Sequence, residues 1–150
     1  MIIYDVPAEA CRELLGRTHL VRLACAQGDQ PYIVPAFLYF EPGEDCLYGF
    51  AFHGQKIDWM RANPNVCVEV EEIVDQYHWT TVLVFGRYEE VGDSPEHYDA
   101  RLRAAGLFQQ QPSWWFPGAA RVEGVTDQKT RVLYRIRINR MSGRRAGRTD

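Results

Sequence analysis

The chain is expected to fold as a mainly β domain, a small antiparallel barrel with short helices at its rim. Three observations predict it. Trp79 to Glu90 is a long strand candidate whose Val82 to Phe85 run is apolar on both faces, as an interior strand would be. Two apolar runs flank the turn pair Gly28-Asp29, which is the pattern of a hairpin. Helical periodicity is confined to a few short stretches. With 150 residues there is apolar content for one core, so residues 1–150 are expected to form a single domain, with 140–150 a mobile basic tail.

Taken in order, Val6 to Gly16 predicts a helix: Pro7 suits its first position, Cys11, Leu14 and Leu15 share a face, and Gly16 ends it. His19 to Ala26 alternates as a strand, and Pro31 to Phe40 is its return, rich in β-branched and aromatic residues. Pro35 inside that second strand has no N–H for a ladder. It marks an edge, a bulge, or a place where something other than a strand lies beside the backbone. Glu41 to Asp45 is a turn in which Pro42 presets φ and Gly43 accepts positive φ.

Leu47 to Phe52 predicts a buried strand, His53-Gly54-Gln55 a loop, and Lys56 the opening of a helix that must stop before Pro64. A lysine there faces the positive end of the helix dipole and unpaired backbone N–H groups. Either its ammonium points into water, or an anion such as a phosphate sits at the same place, approached closely by backbone at Gly54. Val66 to Val70 follows as a strand, then Glu71 to His78 as a polar connection, then the long strand with a bend or bulge at Gly86. Pro95 to Leu107 predicts a second helix, capped by Ser94, with Tyr98, Leu102 and Ala105 on one face. Residues 109–128 read as an ordered loop, and Arg131 to Ile138 as a last strand whose arginines face water.

Net charge is −3, which gives no general attraction to nucleic acid or anionic lipid. No apolar run reaches the length of a membrane span, and Asp5 interrupts the start before a signal-peptide core forms, so a soluble, cytoplasmic protein is expected. Cys11, Cys25, Cys46 and Cys67 form no CxxC pair, and the four histidines show no ligand spacing, so no metal is expected. The glycine-rich nucleotide signatures and the metalloprotease and hydrolase motifs are missing. Phe50, Phe52, Trp59 and Trp79 read either as core or as ligand contacts. The adjacent pair Trp114-Trp115 cannot easily enter one core together, which leaves a face to stack on a planar ligand or partner chain.

The segments PYIVPAFLYF, LYGFAFHGQKIDWMRANPNVCVEV and WTTVLVFGRYEEV, in that order, resemble the flavin-binding split-barrel proteins related to pyridoxamine 5′-phosphate oxidase. The resemblance covers about Val6 to Val91, with a weaker match from Trp114 onward. It implies a six-stranded antiparallel split β-barrel of the FMN-binding type, acting as a homodimer with FMN in two clefts at the subunit interface. It further implies that Val34, Pro35, Ala36, Phe50, Ala51 and Phe52 line the flavin ring. Lys56 would hold the phosphate with His53 beside it, and Trp79, Thr80 and Trp115 would approach the same flavin, the long strand from across the dimer. Many relatives carry polar residues at Phe50 and Ala51 and a basic one at Gln55, and the arginine-rich substrate motif of true pyridoxamine 5′-phosphate oxidases is not recognisable near the C-terminus.

These readings point to an oxidoreductase acting on a small planar substrate, in which the cofactor supplies the redox chemistry. No catalytic acid or base is assigned; His53 and Tyr32 are the candidates for proton donation. A non-catalytic module that stores or senses FMN or another flat cofactor is the alternative. A structural dimer with an empty cleft is a third reading.

Overall fold

The computed structural model describes residues 1–110 and 130–148. Its elements are β1 (Ile2–Asp5), α1 (Ala8–Arg17), β2 (Leu20–Gln27), β3 (Gln30–Glu41), β4 (Cys46–Phe52), α2 (Gln55–Ala62), β5 (Asn65–Asp75), β6 (His78–Glu90), a 3₁₀ turn at Pro95–His97, α3 (Tyr98–Gln110) and β7 (Arg131–Gly147). Every strand pairing is antiparallel. The order is β1-β7-β4-β3-β2-β5-β6, and an added β7–β6 pairing closes β2 through β7 into a ring.

The ring is split along one seam. β3 pairs with β4 only from Leu38↔Gly49 to Glu41↔Cys46, although β3 reaches back to Gln30 and β4 on to Phe52. Residues 30–37 of β3 therefore pair with β2 alone among the described residues. Leu38 N–H donates to the His19 carbonyl, so by ladder alternation residues 33, 35 and 37 turn their amide positions away from β2, toward the seam. Pro35 occupies one of these positions, which is why a proline is tolerated in mid-strand. Of the three options its sequence left open, the structure excludes the bulge: Pro35 lies on a stretch of β3 unpaired on its seam side among the described residues, an edge beside which something other than a strand can sit.

Inside the ring, Leu23, Leu38, Leu47, Val68, Val84 and Ile136 make a dry core. α1 has 10 residues, shorter than the ~12–15 an isolated helix needs to persist in water. Its stability comes from Cys11, Leu14 and Leu15 against the barrel, at roughly 1.5–3 kcal/mol for each leucine. α3 lies outside the wall and buries Ala100 and Ala104 over Cys46, Tyr48 and Val91. The β2–β3 hairpin turns at Gly28, whose φ of +55° only glycine adopts at little steric cost. The bulge expected at Gly86 appears as a register shift between Phe85 and Gly86 in the β6–β7 ladder. No helix among the described residues is long and apolar enough to cross a membrane.

Several expectations are corrected. Pro7 is the N-cap of α1 and not its first residue, and the helix passes Gly16 to end at Arg17. In the Glu41–Asp45 turn it is Asp45 that takes positive φ, +55°, while the Gly43 N–H donates to Glu41 Oε1 at 2.7 Å. An aspartate tolerates that conformation, and Arg12 clamps its carboxylate at 2.9 and 3.0 Å. Glu71 to His78 is not a polar connection: β5 continues to Asp75, and the turn is closed by Tyr77 N–H donating to Asp75 Oδ1 at 2.7 Å. Tyr98 and Leu102 face outward on α3, each 55% exposed. Arg135 is buried, unlike the water-facing arginines expected along the last strand.

Residues 140–147, expected to be a mobile tail, belong to β7 and pair with β6 and β1. A Cβ on Gly143 would come within 2.8 Å of both Cys11 Sγ and Val6, so this part of the strand passes tightly under α1. β1 corresponds to no element foreseen in the sequence. Residues 111–128 of the expected loop, with Trp114 and Trp115, lie outside the described residues.

Candidate functional site

β4 ends at Phe52, and the chain turns through His53 and Gly54 into α2. Gly54 is the N-cap, in extended conformation and with no side chain to cap the helix, so the first backbone N–H groups of α2 lack a side-chain acceptor there. Lys56 is the second residue of this helix. Its ammonium lies near the buried Cys25 of β2, and burial pushes its pKa down, with Cys25 opposing weakly. The Cys25 thiol is in turn pushed up by burial. Among the described residues Lys56 makes no hydrogen bond or ion pair, although it is half-buried. Among the described residues it is a desolvated cation without a counter-charge at the electropositive end of a helix, an unfavourable arrangement.

α2 reaches from the end of β4 to the β2–β3 hairpin and so closes the mouth of the seam. Trp59 meets Tyr32 with ring centres 5.3 Å apart, and Asn63 Nδ2 donates to the Ala26 carbonyl at 3.3 Å. Asn63 also caps the C-terminus by donating its N–H to the Trp59 carbonyl, which stops the helix before Pro64 as expected. Ile57 and Met60 plug this end of the barrel.

The expected site residues divide into those the fold brings together and those it does not. Val34, Pro35 and Ala36 lie on the β3 side of the seam, with Ala36 buried and Pro35 exposed. Phe50, Ala51 and Phe52 lie on the β4 side, where only Ala51 points into the core. His53 and Lys56 follow at the mouth. These eight residues thus form one region. Trp79 and Thr80 do not join it. Lys56 senses Cys25, one rung beyond the Ala24↔Cys67 pair, while Thr80 is opposite Glu72. That separation is about six rungs, on the order of 20 Å along the sheet. Thr80 accepts a hydrogen bond from Arg145 Nε at 3.2 Å, and Trp79 lies between Ile73 and Ala146. Trp115 is outside the described residues.

Two local contacts were not legible from spacing. His53 Nε2 contacts Asp58 Oδ1 at 2.6 Å, which turns the imidazole along α2. Arg131 sits 5.9 Å from the centre of the Phe52 ring, on the rung that pairs the two residues. No nucleophile–base pair lies in the seam among the described residues. Its assets are a free cation, helix N–H groups and an open strand edge, which suit binding a phosphate-bearing flat ligand better than acid–base chemistry.

A six-stranded ring open along one seam, with a helix across its mouth, is the architecture of a split barrel. The family model described as pyridoxamine 5′-phosphate oxidase matches residues 7–145, and the chain belongs to that family. An uncharacterised protein of Rhizobium meliloti (strain 1021) is 34% identical over 148 residues, covering 97% of each chain. The crystal structure of an FAD-binding protein from Mesorhizobium loti matches with a TM-score of 0.80 and 35% identity, over 98% of this chain and 100% of that one. The FAD-binding protein of Mycobacterium smegmatis shares the fold, with a TM-score of 0.67 at 18% identity, over 94% and 98% of the two chains.

Proposed function

We propose that this chain binds a flavin nucleotide along the seam, with Lys56 as the anchor of its phosphate. The observation that carries the reading is the half-buried Lys56 ammonium, which has no counter-charge among the described residues and sits at the N-terminus of α2. A phosphate dianion would satisfy the ammonium and the open N–H groups together. The flat ring would then lie between the β3 edge at Val34 to Ala36 and the β4 end at Phe50 to Phe52. FMN is the expected nucleotide. The FAD-binding Mesorhizobium loti protein makes FAD the second reading.

The active form is proposed to be a cytoplasmic homodimer with two flavin sites. Two features favour it. If Trp79 and Thr80 approach the flavin, as the family resemblance implies, their distance from Lys56 requires that they come from a second copy. The register also lines up Ile3, Ala146, Trp79 and Ile73 in an apolar row across four strands, with Ile3 53% and Ile73 63% exposed. The bound flavin would supply hydride or electron transfer to a small planar substrate. The chain's own residues hold the phosphate, position the ring and exclude water at the barrel mouth. His53 is oriented by Asp58 at 2.6 Å, an arrangement compatible with proton transfer, and a non-catalytic module that stores or senses the flavin is the alternative reading.

The test is the absorption spectrum of the purified protein and of Lys56→Glu. The wild type is expected to carry or take up flavin, and Lys56→Glu to lose it while keeping its oligomeric state. Undiminished flavin retention in Lys56→Glu would defeat the anchor. Bleaching by a nicotinamide dinucleotide followed by reoxidation by an acceptor would favour the enzyme over the storage module.

A further inference from the structure

A second hollow lies between α1, α3 and the β3–β4 turn, with a volume of about 690 Å³. It shares no lining residue with the seam. Its floor is Tyr39 and Phe40, and its apolar wall is Leu102 and Leu107 of α3. Leu102 is 55% exposed, an unfavourable placement for a leucine on a helix that packs against the barrel.

Two glycines face this hollow from opposite helices, Gly16 of α1 and Gly106 of α3. A helical glycine is less favourable than alanine, and it usually has a packing reason. Neither has one among the described residues: a Cβ at either position would meet no described atom within 4 Å, and neither residue has positive φ. What the two missing side chains provide is open space in the hollow itself.

The charges around the space lean acidic, three carboxylates against two guanidiniums. Glu9, Glu13 and Glu41 line it, and none of them makes an ion pair among the described residues. The two guanidiniums of the lining are already committed, Arg12 to Asp45 at 2.9 Å and Arg103 to Glu44 at 2.8 Å. His19, stacked on Tyr39 at 4.7 Å, adds no cation, because burial lowers its pKa and keeps it neutral at neutral pH. We infer that this hollow is a second ligand site, independent of the seam, which takes a small protonated amine with an aromatic or apolar body. The body occupies the space between Gly16, Gly106 and Leu102, and the ammonium meets the carboxylates of α1 and Glu41.

The test uses the full-length protein, labelled with ¹⁵N, titrated with 2-phenylethylamine and, for opposite charge on a similar body, 3-phenylpropionate. The amine is expected to give saturable shifts centred on the Gly16 and Gly106 amides, and the carboxylate none. The double variant Glu9→Gln/Glu13→Gln should weaken amine binding by about threefold or more, the scale of exposed charge pairs. Gly106→Leu should fill the space and abolish binding. If that variant does not fold, Gly16→Leu fills the same space from the other helix. Absent or non-saturable shifts, equal binding of the anion, or affinity unchanged when the two carboxylates are removed would each overturn the inference.

Discussion

Arg135 of β7 is the charge whose removal should be felt most, and the structure allows the size of the effect to be worked out. It is 7% exposed and donates to Glu44 at 3.0 Å, to Glu89 at 2.7 Å and to the Tyr48 hydroxyl at 3.3 Å. Removing one partner of a buried ion pair costs about 3–5 kcal/mol when the remaining charge is left with nothing. Here neither carboxylate is abandoned, since Glu44 keeps Arg103 and Tyr48 at 2.8 and 2.7 Å, and Glu89 keeps Arg137 at 2.6 Å. Arg135→Met should therefore cost less, about 2–3 kcal/mol, with a fall in Tm of roughly 5–10 °C for a chain of this size. The Arg17–Glu72 pair, 48% and 44% exposed, is the control, and Arg17→Ala should cost under about 1 kcal/mol.

Acid adds a second signature. Burial alone would raise the Glu44 and Glu89 carboxyls, but their hydrogen bonds and the neighbouring guanidiniums outweigh it and hold both below the ordinary value of 4.5. The Tyr48 hydroxyl that donates to Glu44 is pushed up to about 12, chiefly by burial, so it stays a donor throughout. Stability from the two carboxylates is thus complete above pH 4.5 and is lost as pH falls through their lowered folded values. Urea unfolding of wild type and Arg135→Met at neutral pH and at decreasing pH measures both effects. A loss below about 0.5 kcal/mol, or an acid dependence identical to wild type, would refute this account of the network.

The core, α1 and Lys56 give further expectations. Gly49→Ala places a Cβ 2.5 Å from Tyr134 Cζ and 2.6 Å from Leu38 Cδ2, and should cost about 1–3 kcal/mol in chemical denaturation; an unchanged midpoint would mean that β4 can shift. Leu14→Ala, at a fully buried position, should cost about 2–5 kcal/mol, and a loss below 1 kcal/mol, on the order of a surface change, would show that α1 is not held by its apolar face. Lys56 has a folded pKa lowered from 10.5, chiefly by burial, so the ligand-free protein should gain stability as pH rises from that lowered value toward 10.5. Lys56→Met should flatten that rise in melting curves taken across the alkaline range, and an unaltered slope would contradict it.

Much of the barrel was legible because its strands obey simple patterns. The Gly28-Asp29 hairpin, the doubly apolar run of β6 and the 3.6-residue spacing of Cys11, Leu14 and Leu15 each have one reading. Errors gathered where composition masked pairing. The second half of β5, Glu71 to Asp75, is polar or exposed because it projects beyond β2 and pairs with β6 alone, so no burial wrote itself into the sequence. The end of β7 carries Gly143 because Cys11 and Val6 pack closely over it, a long-range demand hidden in a basic stretch that resembles a tail locally. Arg135 looked like any other outward arginine, since the groups that engage it, Glu44, Tyr48 and Glu89, are distant in sequence.

The candidate site was half legible in the same sense. Pro35 and Lys56 were visible as local contradictions, a proline within a strand and a cation at a helix start. The seam resolves the first, and the second persists as a half-buried ammonium with no counter-charge among the described residues. The His53–Asp58 contact was not visible, because a five-residue separation across a strand-to-helix turn carries no periodic signal.

The most direct measurement compares FMN with riboflavin, which lacks the phosphate, on wild type and on Lys56→Met, each followed by flavin fluorescence quenching. A phosphate anchored by the Lys56 ammonium predicts that FMN binds wild type more tightly than riboflavin by roughly 10- to 100-fold, the scale of one charged hydrogen bond. In Lys56→Met the advantage should vanish while riboflavin affinity holds. If FMN and riboflavin bind wild type equally, or if the preference for FMN survives in Lys56→Met, the phosphate is not held at the mouth of the seam.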